Sequence, residues 1–281
     1  MTVSSSKALS RNGAHAHAVR WAPAIPAVLA VLTVLAQIAY PLAPDRWLTR
    51  LSVLTVVTFA LASVTHAALH QGRAWTVRFV AVVVAGTLAG EIVGVATGLP
   101  FGRYSYTHTL GPEVASVPLL VPLAWLMMAY PCLLMARAIT ARARVSEPIR
   151  VLLVGLSGGA ALAGWDVFLD PQMVAAHHWV WAHPSPGLPG VADVPLTNVA
   201  GWLVVGTIVL AACELTLRRA EANPVAGQGI PATLLAWTWL GSTLGNLAFF
   251  GRPWVGLWGF VLLGCFVAPY LVIVVRTRPP R

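Results

Sequence analysis

Residues 165–173, WDVFLDPQM, place two carboxylates, Asp166 and Asp170, on an otherwise apolar, glycine-softened segment that meets a proline. Four residues apart on a helix means the same face, about one turn up and down. A charged side chain at hydrocarbon depth costs on the order of 2.5–3.5 kcal/mol on insertion scales, so a membrane chain rarely keeps one without use. Here two acids share a face, with Trp165 beside them and Pro171 expected to end the helix. The stretch reads as half of an active site, provided that its surroundings are a membrane.

The composition supplies that condition. The chain has 281 residues, 58% hydrophobic and 10% charged, against roughly 25% charged in soluble domains. A deficit spread over the whole length means a polytopic membrane protein. Taking roughly 20 apolar residues as one span, eight helices are expected, at 22–42, 51–70, 77–97, 117–139, 150–169, 197–217, 230–250 and 254–275. The fold class is therefore all-α, a multi-pass helix bundle of the cell membrane. Residues 1–20 read as a disordered tail, 21–276 as a single transmembrane helical domain and 277–281 as a short basic tail. The first apolar run is too long for a signal-peptide core.

The net charge of +9 raises nucleic-acid binding, but no basic patch or binding motif supports it. The basic residues follow membrane topology instead. With a cytoplasmic N-terminus, the inner segments hold Lys7, Arg11, Arg20, Arg73, Arg78, Arg137, Arg142, Arg144, Arg150, Arg218, Arg219, Arg276, Arg278 and Arg281. The outer ones hold Arg46, Arg50, Arg103 and Arg252. This bias predicts both termini on the cytoplasmic side. The longest connections, 98–116 and 170–196, then fall together on the outer side, rich in Trp, Tyr, His, Gly and Pro.

The acids divide along the same axis. Glu147, Glu214 and Glu221 lie near the inner boundary beside arginines, where solvated or snorkelling charges are expected. Glu91 is in the third helix, about two turns before Gly98, and should sit level with Asp166 and Asp170. Three carboxylates crowded into a water-poor region do not all ionise, and one left neutral is a proton donor. In GLPFGRYSYTHTLGP (98–112), an extended run would put Tyr104, Tyr106 and His108 on one face, with Arg103 pairing with Glu113 or a buried acid. An aromatic interface belt is the bland alternative. In HHWVW (177–181), Trp179 and Trp181 alternate as in a short strand. Asn198, in the first turn of the sixth helix, is either a cap beside Thr197 or part of the site.

Other chemistries find less support. His66 and His70 have the spacing of a helical ligand pair, but they lie at the end opposite His108, His177 and His178, so no metal centre is expected. No GxGxxG or P-loop run is present, and no cofactor is expected. Cys132, Cys213 and Cys265 stand alone, without a CxxC pair, and imply no disulfide framework.

The stretches GEIVGVATGLPFGRYSYTHTLGP (90–112), VPLAWLMMAYP (121–131), WDVFLDPQMVAAHHWVW (165–181) and VPLTNVAGW (194–202), in this order, resemble the bacterial and archaeal carotenoid biosynthesis protein family over roughly residues 75–260. The first two helices fall outside the stretches matched. Characterised members of that family are carotenoid hydratases. The resemblance implies cofactor-independent, acid-catalysed addition of water to the terminal C1–C2 double bond of an acyclic, ψ-end carotenoid, giving a tertiary 1-hydroxy end group. The acid would be Asp166 or Asp170, with a slight preference for Asp166 as the deeper of the two. Glu91 and Asn198 would place the water. Trp165, Tyr104 and Tyr106 would line a cation pocket, since aromatic faces attract positive charge, and Arg103, His108 and Trp179 would bind substrate. The partners implied are the carotenoid itself, the lipid bilayer and other enzymes of the same pathway. Two competing readings belong to other classes: a proton-coupled transporter, since intramembrane acids also relay protons, and a non-catalytic carotenoid- or lipid-binding subunit.

Overall fold

The computed structural model of the chain describes residues 24–217 and 227–277. The expected N-terminal tail, the end of the C-terminal tail, and Arg218, Arg219 and Glu221 lie outside the described residues. The long helices are α1 Ala24–Ala39, α2 Leu48–His70, α3 Arg73–Thr97, α4 Leu120–Thr140, α5 Glu147–Ala175, α6 Leu196–Thr216, α7 Gly229–Ala248 and α8 Pro253–Arg276. Each matches an expected span to within a few residues, except that α5 runs six residues further than 150–169. Seven of them are long and apolar enough to cross a membrane. The eighth, α7, falls short of the expected span, because Thr238, Ser242, Thr243 and Asn246 dilute its apolar residues.

α4 is the axis of the bundle. Its sequence is apolar all round, the pattern of a helix enclosed by others, and nearly every residue from Val121 to Ala138 is buried. It packs against α2, α3 and α5, and α5 in turn packs against α6 and α8. Glycine makes that second contact close, as small residues do between membrane helices. A Cβ on Gly159 would stand 2.6 Å from the Thr207 backbone nitrogen of α6, and one on Gly164 2.8 Å from that of Leu263 in α8.

Pro171 does not end α5. It lies inside the helix, which continues to Ala175. The ring removes one backbone donor, but the turn beyond it is closed by Ala176 N–H to the Gln172 carbonyl at 3.0 Å and His178 N–H to the Met173 carbonyl at 2.9 Å. Asp166 and Asp170 therefore sit within a continuous helix.

Both long connections contribute strands. β1, Tyr104–Tyr106, pairs antiparallel with β4, Trp179–Trp181, in the register Tyr104 opposite Trp181 and Tyr106 opposite Trp179. β2, Glu113–Val114, and β3, Val117–Pro118, form a second short ribbon. The expected alternation of Tyr104 with Tyr106, and of Trp179 with Trp181, holds. At the opposite end of the bundle one expectation fails. Glu214 is enclosed, its side chain 1% exposed, and it accepts from Arg137 Nε at 2.6 Å with Arg150 Nε at 3.3 Å. Arg137 also donates to the Leu217 carbonyl and lies over Trp75. A carboxylate facing two guanidinium groups needs no water. Glu147, by contrast, is exposed and paired with Arg150.

Candidate active site

Three helices bring the acids together. Glu91 comes from α3, Asp166 and Asp170 from α5, and Asn198 from the first turn of α6. All four are buried. Asn198 does not cap its helix. Its Nδ2 donates to Asp166 Oδ2 at 2.7 Å and also to Asp170 Oδ2. Two buried carboxyls that share one amide donor, with no cation beside them, do not both ionise, so the pair is suited to holding one proton in common.

Glu91 is held differently. Oε2 accepts from the Tyr104 hydroxyl at 2.6 Å and the Tyr106 hydroxyl at 2.9 Å, and Oε1 accepts from Trp125 Nε1 at 3.0 Å. Three donors aimed at one carboxyl suit its ionised form. The strand pairing of β1 explains how two tyrosines two residues apart reach the same oxygen: they share a face of the ribbon. Burial, with the nearby Glu91 charge adding to it, pushes both tyrosine hydroxyls well above their ordinary range. They remain donors at any physiological pH. Among the described residues, no arginine or lysine pairs with Glu91, Asp166 or Asp170.

These groups open onto a cavity of about 350 Å³, the size of a small-molecule site. Glu91, Asp170 and Asn198 line it, together with Tyr104, Tyr106, Trp165, Trp179, Trp181 and Trp202. Asp166 stands behind Asp170 and does not line it. The aromatic wall falls into two groups of touching rings. Trp202 stacks on Trp125 at 3.6 Å and meets Trp165 edge-on at 5.6 Å. Tyr104 packs on Trp181 at 5.8 Å, and Tyr106 on Trp179 at 5.7 Å. The arrangement combines two carboxyls on one amide donor, a carboxyl held by neutral donors and stacked aromatic faces inside an apolar chamber.

Eight of the ten residues expected from the sequence fall in this assembly, and two do not. His108 has left the strand at a positive φ of 62° and pairs with Glu113 at 2.9 Å, its side chain 74% exposed. Arg103 is exposed and pairs with neither Glu113 nor an acid of the site. The tyrosine face of β1 points inward, and the chain turns away before His108 can follow it. His177 is exposed, whereas His178 is buried and its Nδ1 lies 2.7 Å from Thr109 Oγ1. His66 and His70 stack at the opposite end, with His66 bonded to the Tyr130 hydroxyl and the Gly227 carbonyl. Sequence reasoning missed Trp125, Trp202 and Phe101, although all three lie in the quoted stretches. It also missed a whole wall of the cavity: Gln37 and Tyr40 from the α1 end, Thr55 from α2, and Trp237, Thr238, Ser242 and Asn246 from α7.

Most of the chain is similar to known proteins. The model of a family described as carotenoid biosynthesis protein matches residues 48–268. The match takes in α2, beyond the range of the quoted stretches. A bisanhydrobacterioruberin hydratase of Haloarcula japonica is 27% identical over 181 residues, covering 62% of this chain and 56% of that protein. The chain thus spans little more than half the length of that relative. No solved structure matches it.

Proposed function

Since the chain belongs to the carotenoid biosynthesis protein family, we propose that its cavity adds water to the terminal C1–C2 double bond of a ψ-end carotenoid. The observation that carries this reading is the Asp166–Asp170–Asn198 cluster, two buried carboxyls on one amide donor at the edge of a chamber walled by aromatic rings.

The chemistry needs a proton on the less substituted carbon, shelter for the cation that results, and a placed water. Asp170 is the proton donor in this scheme, because it lines the cavity and Asp166 does not. The alkene's π electrons take its proton to form the new C–H bond, leaving a tertiary cation at C1. The Asp166–Asp170 pair then carries the full negative charge, spread over both carboxyls and held by Asn198. Trp165, Trp202, Tyr104 and Tyr106 present ring faces to the cation, and the Glu91 carboxylate provides the counter-charge. A water lone pair bonds to C1, and the surplus proton of the resulting oxonium returns to the aspartate pair. The site ends as it began, and the substrate has gained one water. General acid catalysis of this kind contributes about 10²–10⁴-fold.

The chain is a multi-pass membrane protein by its apolar helices, and the lipid substrate would enter from the bilayer of the cell membrane. The test is expression in a lycopene-producing host. Wild type should yield carotenoid heavier by one water, and Asp170→Asn at equal membrane level should not. Unmodified carotenoid from both, or hydrated carotenoid from both, would overturn the reading.

A further inference from the structure

The cavity has a mouth, and its rim is apolar. Among the described residues that line the cavity, the exposed ones are Ile38 and Leu42 at the end of α1, and Leu244 and Phe249 at the end of α7. Every polar residue of the lining is buried or half-buried. A mouth that met water would carry polar groups where it is most open. One rimmed by isoleucine, leucine and phenylalanine suits hydrocarbon. Exposed apolar residues are ordinary on lipid-facing helices, and Leu35 on α1 and Leu247 on α7 are examples, but neither lines the cavity. The rim residues are distinguished by facing outward and bordering the cavity at once.

Two ties join the edges of this mouth. Trp237 Nε1 of α7 donates to Gln37 Oε1 of α1 at 2.7 Å, and the Tyr40 and Phe250 rings meet edge-on at 6.1 Å. In sequence, Ile38 falls between the ties on the α1 side, and Leu244 and Phe249 fall between them on the α7 side. Both α7 rings are seated against glycine: a Cβ on Gly241 would stand 3.2 Å from the Trp237 ring, and one on Gly245 3.2 Å from the Phe250 ring. Away from the ties α1 packs mainly on α2. The seam between α1 and α7 is therefore framed rather than filled.

Size then decides what the mouth is for. At about 350 Å³ the cavity stands at the small end of ligand pockets. It has room for the end group of an isoprenoid and not for a polyene of carotenoid length. We infer that the seam between α1 and α7 holds the chain of the substrate: the end group lies among the acids, and the polyene leaves over the apolar rim into the bilayer. This rests on the hydratase reading for the carotenoid nature of the guest, while the place and character of the seam follow from α1 and α7 alone. Ile38, Leu42, Leu244 and Phe249 are then specificity-determining residues that grip a long apolar chain without touching the reacting atoms. Ile38 and Leu42 precede residues 48–268, so one edge of the seam comes from a part of the chain outside the family match.

The experiment uses the full chain in lipid nanodiscs with an achiral ψ-end polyene. Such a polyene has no circular dichroism when dissolved in lipid, so a visible band reports the protein-held fraction alone; hydration is read from mass. Leu42→Trp with Leu244→Trp narrows the mouth, and Leu35→Trp with Leu247→Trp adds the same bulk to the same helices away from it. The mouth pair should raise the polyene Kd at least tenfold, and the control pair should leave it within twofold. A ten-carbon isoprenoid alkene, short enough to lie wholly inside, should be hydrated by the mouth pair within threefold of wild type, whereas a distorted site would lose both guests. No visible band from wild type, equal weakening by the two pairs, or equal loss of the long and short guests would overturn the inference. If wild type holds the polyene and hydrates neither guest, the hydratase reading falls, and the Kd ratio of the two pairs still decides the role of the seam.

Discussion

The two ends of the bundle bury carboxylates in opposite ways. Glu214, between α6, α4 and α5, faces the guanidinium groups of Arg137 and Arg150, one at 2.6 Å and the other at 3.3 Å. Glu91, Asp166 and Asp170, at the other end, face indole and phenol hydrogens, an amide and one another. A cation beside an acid removes its capacity to give or take a proton; neutral donors steady it without doing so. Glu214 is also enclosed by protein, whereas Glu91 and Asp170 border open space. Burial alone therefore does not mark a working acid. Burial without a cation, next to a cavity, is what sets the acids of the proposed site apart.

The sharpest way to break the comparison is to neutralise one acid at each end. Asp170→Asn should cut hydrated product by about 10²–10⁴-fold with thermal stability near wild type, measured by pigment analysis and membrane-extract melting. If Asp166→Asn is silent while Asp170→Asn is not, the donor is settled by access to the cavity rather than by depth. Glu214→Gln should do the reverse. Stranding Arg137 should cost about 3–5 kcal/mol of stability, while turnover per folded molecule stays within a small factor of wild type.

Smaller changes sharpen the contrast. Tyr106→Phe removes one donor to Glu91, an interaction worth about 1.5–3 kcal/mol when the acceptor is charged, and should slow hydration roughly tenfold without blocking carotenoid binding. Because burial holds both tyrosine hydroxyls above their usual range, the wild-type rate should show no tyrosine limb up to pH 10. The smallest effect belongs to His178, whose pKa burial lowers from 6.5. Its neutral form is the one the fold favours, so that contribution is present above pH 6.5 and lost as pH falls below it. Melting should shift slightly downward between pH 7 and 5, and His178→Gln should flatten the shift.

The helices were legible because twenty apolar residues bounded by Pro, Gly and Arg leave few other readings. The acids were legible because membrane segments seldom carry them. What escaped notice looks ordinary in one dimension. Trp202 and Trp125 are two more tryptophans in a chain with 12 until two helices stack them. Thr238 and Asn246 resemble the polar residues of any helix until both are seen to be buried on the cavity wall. Glu214 looked solvated beside Arg218 and Arg219, yet it is buried against Arg137 and Arg150, which are distant in sequence and which only the fold brings to it. Pro171 was read by the general rule for proline, and the hydrogen bonds of the turn after it override that rule.

The glycine contacts of α5 divide the chamber into a side that is fixed and a side that is exchangeable. With Gly159 against α6 and Gly164 against α8 at backbone distance, the aspartate pair is mounted on main chain, and no side-chain substitution elsewhere can easily displace it. The walls supplied by α1, α2 and α7 have no such weld to α5. A library that varies Gln37, Thr55, Trp237, Thr238 and Asn246 would therefore search guest shapes around a stationary pair of acids, which, under the proposed hydration, makes this scaffold a practical starting point for adding water to alkenes of an engineer's choosing.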